Sequence, residues 1–227
     1  MPYGDRMTEP QRVRTYSARR GRLSPLTQER MAQLGPRHAI PAGPLDPEAA
    51  FGRTGPVVLE IGCGHGAAAL AYAQAHPDRD VLAVDVFTPA LARMLAAAED
   101  LGLGNLWVHQ GDAVELLAGR IAPRSLAAVH LFFPDPWPKA RHGKRRFIAA
   151  YTLDLVATRL QAGGHLLVAT DHAAYAVHAR AELAAHGCFR VTEGVRPPWR
   201  PQDGFEAKGL AAGRSVTELR ADLVTPR

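Results

Sequence analysis

An apolar run, Val57-Val58-Leu59-Glu60-Ile61, leads straight into Gly62-Cys63-Gly64-His65-Gly66. Glycines at alternate positions let a backbone turn sharply and approach a ligand with no Cβ in the way. The spacing is G-x-G-x-G, shorter than the dinucleotide pattern G-x-G-x-x-G, so no dedicated pyrophosphate turn is evident. Glu60, just ahead of the loop, is awkward beside a pyrophosphate and suited to a cationic ligand. Asp85 closes the next apolar run, 23 residues after Gly62, where an acid can accept hydrogen bonds from both ribose hydroxyls. Asp112, in Gln110-Gly111-Asp112-Ala113, follows the third run and could receive an adenine exocyclic amine. Each piece alone has a plain structural reading, the loop as a tight turn and the two aspartates as helix caps. In order, at successive strand ends, they describe a nucleoside site that favours positive charge and holds no phosphate. S-adenosylmethionine, a sulfonium with an amino acid tail, fits that description.

A second constellation follows the fourth apolar run: Phe132-Phe133-Pro134-Asp135-Pro136-Trp137-Pro138, then Lys139 to Arg146. Two prolines flanking Asp135 stiffen the loop and remove backbone donors that would compete for the carboxylate. Trp137 offers an aromatic face to a base, or anchors the loop. Five of the next eight residues are basic, namely Lys139, Arg141, Lys144, Arg145 and Arg146. That density matches the phosphates of a polyanion. His65 and His142 lie in these motifs without a forced role, the ten histidines form no ligand cluster, and no metal is implied.

Positioning these groups takes a sheet. The runs Val57–Ile61, Val81–Val84, Leu106–His109, Ala127–Phe132 and His165–Ala169 alternate with helical patterns, the signature of a parallel α/β sheet. Weaker strands near Phe189–Glu193 and Ser215–Leu219 bring the total to about seven. Between the second and third strands, Thr88 caps a predicted helix that takes Pro89 in its first turn and ends at Gly102. Residues 38–56 carry Pro41, Pro44, Pro47 and Pro56 and read as a linker. Residues 1–37 hold eight arginines against Asp5, Glu9 and Glu29 and show no convincing period. They account for the whole formal charge of +5, because residues 38–227 balance. The division is a basic arm over 1–37, a Pro-rich linker over 38–56 and a folded domain over 57–227.

Composition narrows the classes further. A hydrophobic content of 47% is ample for a core. No apolar run approaches the ~20 residues of a membrane span, and one of the longest, Leu126 to Phe133, contains His130. No apolar segment follows the N-terminal arginines, as a secretory signal requires. Cys63 and Cys188 are the only cysteines and lack metal spacing, which fits a reducing compartment, the cytoplasm.

The stretch from Phe132 to Arg146 closely resembles the tRNA (guanine-N7-)-methyltransferase family, whose hallmark is F-P-D-P-W-P-K-x-R-H-x-K-R-R. The likeness covers nearly the whole chain. Arg19-Arg20-Gly21-Arg22-Leu23 is similar to the family's N-terminal basic segment, and Leu59–Gly66 to its cofactor motif. Thr170-Asp171 with Tyr175 resembles the motif after the fifth strand, and Phe205-Glu206 with Lys208-Gly209 resembles the C-terminal T-x-F-E-x-K-G element. The resemblance implies a Rossmann-like class I methyltransferase fold, a seven-stranded mostly parallel sheet with helices on both faces. It implies a bacterial single-chain enzyme that uses S-adenosylmethionine to methylate N7 of a tRNA guanine, guanosine 46 of the variable loop. Glu60, Asp85 and Asp112 then fall at cofactor positions beside the Gly62, Gly64 and Gly66 loop, and Asp135 falls at the active-site position. Lys139, Asp171 and the segment Asp203, Phe205 and Glu206 fall at positions that contact the RNA. Two departures stand out: the second-strand acid is usually Glu and is Asp85 here, and Asp203 replaces the Thr of T-x-F-E. Family members include monomers and homodimers, and neither a membrane nor an obligate protein partner is implied.

The chemistry suits these groups. Guanine N7 carries an in-plane lone pair, so no proton need be removed before in-line displacement at the methyl carbon. Catalysis then rests on positioning, with electrostatics second. Asp135 is expected to hold the guanine through N1–H and the exocyclic amine and to act little as a base. Rival readings are a non-catalytic RNA-binding protein on the same fold and an adenine amino-methyltransferase, whose D-P-P-Y type loop Pro134-Asp135-Pro136-Trp137 loosely matches. A nicotinamide dehydrogenase is disfavoured by the glycine spacing.

Overall fold

A strand at the centre of a parallel sheet is covered on both faces and reads as an unbroken apolar run. β1 (Val57–Ile61) is buried at all five positions, Glu60 included. The computed structural model describes residues 14–16, 21–202 and 204–224. Arg19 and Arg20 of the basic segment and Asp203 lie outside the described residues, as does the side chain of Phe205.

The remaining elements are α1 (Pro25–His38), α2 (Pro47–Phe51), α3 (Ala67–Ala75), β2 (Asp80–Asp85), α4 (Thr88–Asp100) and β3 (Leu106–Gln110). Then come α5 (Ala113–Gly119), β4 (Leu126–Phe132), a short 3-10 helix (Ala140–Arg145), α6 (Ala150–Arg159) and β5 (Leu160–Thr170). α7 (Ala173–Ala185), β6 (Phe189–Glu193), α8 (Gly204–Ala211) and β7 (Thr217–Leu223) complete the chain. The seven strands form one sheet in the order β3-β2-β1-β4-β5-β7-β6. β7 runs antiparallel to both of its neighbours, and every other pairing is parallel. This is the expected seven-stranded, mostly parallel sheet with helices on both faces.

α3 and α4 pack Tyr72, Leu91, Met94 and Leu95 against Val58, Val81 and Ala83 on one face. α5, α6 and α7 pack Leu117, Leu153 and Leu183 against Leu59, Val129 and Leu166 on the other. Strand order reverses between β1 and β4. In open α/β sheets the crevice outside the carboxyl ends at such a switch point is where ligands bind.

Several local expectations shift. Thr88 is the first residue of α4 and not its cap; Phe87 holds the cap position, and the Thr88 hydroxyl accepts from Gln110 Nε2 at 2.8 Å. β5 begins five residues earlier than the apolar run, and β7 begins two residues later than expected. Residues 25–38, with no apolar period of their own, form α1. Ser24 Oγ accepts from Thr27 N to cap it, and Pro25 sits in the first turn. α1 lies on α4, with Arg37 paired to Glu99 at 2.9 Å and His38 Nδ1 donating to the Leu106 carbonyl at 2.8 Å. The proline-rich stretch is pinned as well. Arg120 donates to the carbonyls of Pro41 and Gly43, and Phe51 of α2 stacks on Trp107 at 4.8 Å. Among the described residues no helix is long and apolar enough to cross a membrane.

Candidate functional site

The glycine loop turns by placing three residues in the left-handed region, Gly62 at φ 71°, Gly64 at 55° and Gly66 at 80°. Its backbone is held from below: Gly62 N donates to the Val84 carbonyl at 2.8 Å, and Gly64 N donates to Asp85 Oδ2 at 2.8 Å. Asp85 Oδ1 accepts from Phe87 N at 2.8 Å. One carboxylate at the end of β2 thus fixes the loop on one side and the entry to α4 on the other. Gly66 starts α3, and a Cβ there would come within 2.2 Å of Met94. Asp112 caps α5, its Oδ1 accepting from Val114 N at 2.8 Å.

These pieces surround a cavity of about 260 Å³ whose lining includes Gly62, Gly64, Asp85, Asp112 and Asp135. Glu60 and Gly66 stand one layer back and do not line it. The local field is negative: burial first, then the Asp85 and Glu60 charges, push the Cys63 thiol well above its ordinary value. Burial opposes charge of either sign, whereas the Asp85 and Glu60 charges oppose an anion and favour a cation such as a sulfonium. The glycine cradle, the carboxylates and this field fit S-adenosylmethionine.

Asp135 enters the cavity on a strained loop. Phe133 at φ 49° and Trp137 at φ 43° are left-handed non-glycine residues on either side of the Pro134-Asp135-Pro136 core. Such backbone costs on the order of 1–3 kcal/mol per residue and persists only where its surroundings enforce it. The enforcement is visible. Arg146 Nε donates to the Pro136 carbonyl at 3.2 Å, and the Arg145 guanidinium lies 3.5 Å over the Trp137 ring. Arg145 also donates to the carbonyls of Arg14 (3.1 Å) and Tyr16 (2.6 Å), while Trp137 Nε1 reaches the Thr15 carbonyl at 3.4 Å. Thr15 and Tyr16 line the cavity. No local signal in the sequence marks them, because their partners lie some 120 or more residues away.

The basic run therefore divides. Lys139, Arg141 and Lys144 are exposed beside the cavity, while Arg145 and Arg146 brace the loop. Asp171 receives Arg214 Nε at 2.8 Å, and it sits so close to α8 that a Cβ on Gly209 would lie 2.6 Å from its Oδ2. Glu206, 2% exposed, is paired with Arg196 at 2.8 Å and with Arg200 at 3.2 Å. Phe205 stands in the first turn of α8. Arg200 also pairs with Glu218 and lies 4.7 Å over Phe132, so α8 is tied to the strand end that carries the Asp135 loop. Sequence reasoning did not single out Arg200, and only long-range contacts reveal it. Among the described residues no three His, Cys, Asp or Glu side chains are placed to hold a metal ion.

Comparison with known proteins places this geometry. A family model described as "Putative methyltransferase" matches residues 54–219. The tRNA (guanine-N(7)-)-methyltransferase of Halorhodospira halophila is 43% identical over 221 residues, covering 94% of this chain and 96% of its own. The protein of the same name from Thiobacillus denitrificans is 41% identical over 92% of this chain and 94% of its own. Among solved structures, the 16S rRNA methyltransferase KamB superposes with a TM-score of 0.58 at 18% identity, over 83% of this chain and 99% of its own. The 16S rRNA (adenine(1408)-N(1))-methyltransferase from Catenulisporales acidiphilia, solved with cosubstrate SAM, gives 0.55 at 22%, over 81% and 93%. At these identities the two structures bear on the fold alone.

Proposed function

The chain belongs to the tRNA (guanine-N7-)-methyltransferase family, and from that membership we propose that it methylates guanosine 46 of the tRNA variable loop using S-adenosylmethionine, with Asp135 holding the base. The observation that carries this reading is the meeting of two things in one crevice at the strand-order switch point. One is a negative, glycine-walled nucleoside cavity. The other is a single carboxylate on a loop held in strained backbone.

Gly62 and Gly64 form the wall on which the cofactor lies, Asp85 stands at the ribose position, and Asp112 stands beside the adenine. When bound, S-adenosylmethionine supplies an electrophilic methyl group on a sulfonium, open to in-line displacement. Asp135 accepts from guanine N1–H and the exocyclic amine, which fixes the ring with N7 exposed. Its charge also stabilises the ring as that becomes cationic. Guanine N7 has no proton to lose, so no base is required. Effective molarity from such alignment is worth several kcal/mol, on the order of 7–11 at best.

Lys139, Arg141 and Lys144 meet the RNA phosphates, with residues 1–24 as an additional basic contact. Arg145, Arg146, Asp171 and Glu206 serve the RNA indirectly, by holding the loop and α8 in place. Asp203 and Phe205 remain assigned to the RNA side. We place the protein in the cytoplasm, as a monomer or homodimer. The deciding experiment incubates purified chain with methyl-labelled S-adenosylmethionine and bulk tRNA, then maps the labelled nucleoside. Label in 7-methylguanosine at position 46 is expected, and label in an adenine, or none, would overturn the reading.

A further inference from the structure

His130 interrupts the apolar run of β4. It is 1% exposed, and its Nδ1 has no hydrogen-bond partner among the described residues. Leaving a buried polar nitrogen unsatisfied is costly, and such atoms call for an explanation. His130 lines a second cavity, of about 310 Å³, separate from the one that holds Asp135. On this sheet face α3 and α4 cover β1 to β3, while residues 194–200 border the cavity beside β5 and β7.

The cavity is built from flat rings, neutral imidazoles and one weakly compensated cation. Trp199 lies 5.3 Å from His130 and nearly parallel to it, and Tyr72 meets Trp199 edge-on at 4.8 Å. His76 stacks on Tyr72 at 4.1 Å. Arg79 donates to Tyr72 Oη at 3.1 Å, and its carboxylate neighbour Asp78 is exposed and 3.9 Å away. Glu218 and Arg220, also in the lining, are already paired with Arg200 and Asp222. Burial first, then the charges of basic neighbours, lower His130 to about 3 and His165 to about 4. Each is therefore neutral and offers one donor and one acceptor.

Aromatic walls take a base, neutral nitrogens read its edge, and a guanidinium takes its phosphate. We propose that this cavity binds a single nucleotide, the base among Trp199, Tyr72 and His76 with its edge on His130, and the phosphate on Arg79. Its source is either an unstacked residue of the RNA substrate or a free mononucleotide. The cavity adjoins the first site. Trp199 lies 6.1 Å from Phe132, and its neighbour Arg200 covers Phe132 and Phe133 at 4.7 and 5.5 Å.

The test is calorimetric titration of the full chain, saturated with S-adenosylmethionine, with AMP, GMP, UMP, ribose 5-phosphate and inorganic phosphate. One mononucleotide is expected to bind at one site, about tenfold or more tighter than the two probes without a base. Trp199→Ala and Arg79→Gln should each weaken it about tenfold, while Trp199→Phe and Asp135→Ala retain it. If Trp199→Ala fails to fold, Arg79→Gln carries the comparison, because that side chain is 36% exposed. Displacement of the nucleotide by excess tRNA assigns the site to the RNA, and a ternary complex assigns it to a free nucleotide. Absence of mononucleotide binding at millimolar concentration, or binding unchanged in Arg79→Gln, overturns the proposal. Methyl transfer is measured in parallel. Transfer without nucleotide binding refutes this cavity alone, and nucleotide binding without transfer refutes the catalytic reading alone.

Discussion

The Arg145 guanidinium lies over the Trp137 indole, 3.5 Å from the ring centre, and in the same position donates to the carbonyls of Arg14 and Tyr16. One side chain thus joins the N-terminal segment to the loop that presents Asp135. Lysine keeps the charge but loses the planar fork and the stacking. Arg145→Lys should lower kcat/KM for tRNA about five- to thirtyfold, the equivalent of a cation–π contact of about 1–2 kcal/mol. Steady-state kinetics check this, and a lysine variant equal to wild type would mean that Arg145 acts as charge alone.

Asp135→Ala removes the group that fixes the guanine and leaves the glycine loop, Asp85 and Asp112 intact. Misplacing a reacting base by an ångström costs about 10²-fold, so methyl transfer should fall by at least about that factor. Cofactor affinity, measured by titration calorimetry, should stay nearly the same. A parallel collapse of cofactor binding would place Asp135 in the wrong role.

Arg200 is 2% exposed and lies between Glu206 and Glu218. Breaking a buried pair by removing one partner costs about 3–5 kcal/mol, so Arg200→Ala should destabilise the fold by that amount in denaturant titrations at neutral pH. Burial already holds the Glu218 carboxyl above its usual range, opposed by the Arg200 charge. Without Arg200 that rise grows, and the protonated form becomes the better tolerated one. The deficit should therefore shrink as pH falls and be largest in alkali.

His130 titrates at about 3 in the fold, chiefly because of burial, against about 6.5 in an unfolded chain. Between those values the unfolded state binds a proton that the folded state refuses. Stability must therefore rise with pH in that window and be lost as pH falls from about 6.5, at up to about 1.4 kcal/mol per pH unit. His165 acts in the same direction. Replacing His130 with Asn should flatten the pH dependence of the unfolding free energy below about pH 6, as equilibrium denaturation at a series of pH values would reveal.

Features written in local spacing were legible from the chain. Apolar runs located the five parallel strands in order, and the acids followed from position alone: Glu60 near the end of β1, Asp85 closing β2 and Asp112 just beyond β3. Features that depend on a distant partner were not legible. α1 shows no clear apolar stripe because it rests on α4 through Met31, Leu34 and the Arg37–Glu99 pair, and ion pairs leave no hydrophobic period. The internal partners of Asp171 and Glu206, namely Arg214, Gly209 and Arg200, are equally invisible in local spacing. Arg145 and Arg146 belonged to a uniform basic run by count, and the carbonyls they hold divide that run in two.

Phe133 and Trp137 have a consequence for how the loop is held. Glycine at either position would relieve on the order of 1–3 kcal/mol of backbone strain, so the segment that most identifies the family is also one that folding by itself disfavours. Glycine would also give up the Arg145 stacking and the Thr15 contact of Trp137 and the Arg200 contact of Phe133, so relieving the strain loosens the loop that carries Asp135. The two aromatic residues thus exchange backbone ease for a fixed loop, a bargain written in the backbone and not in the core.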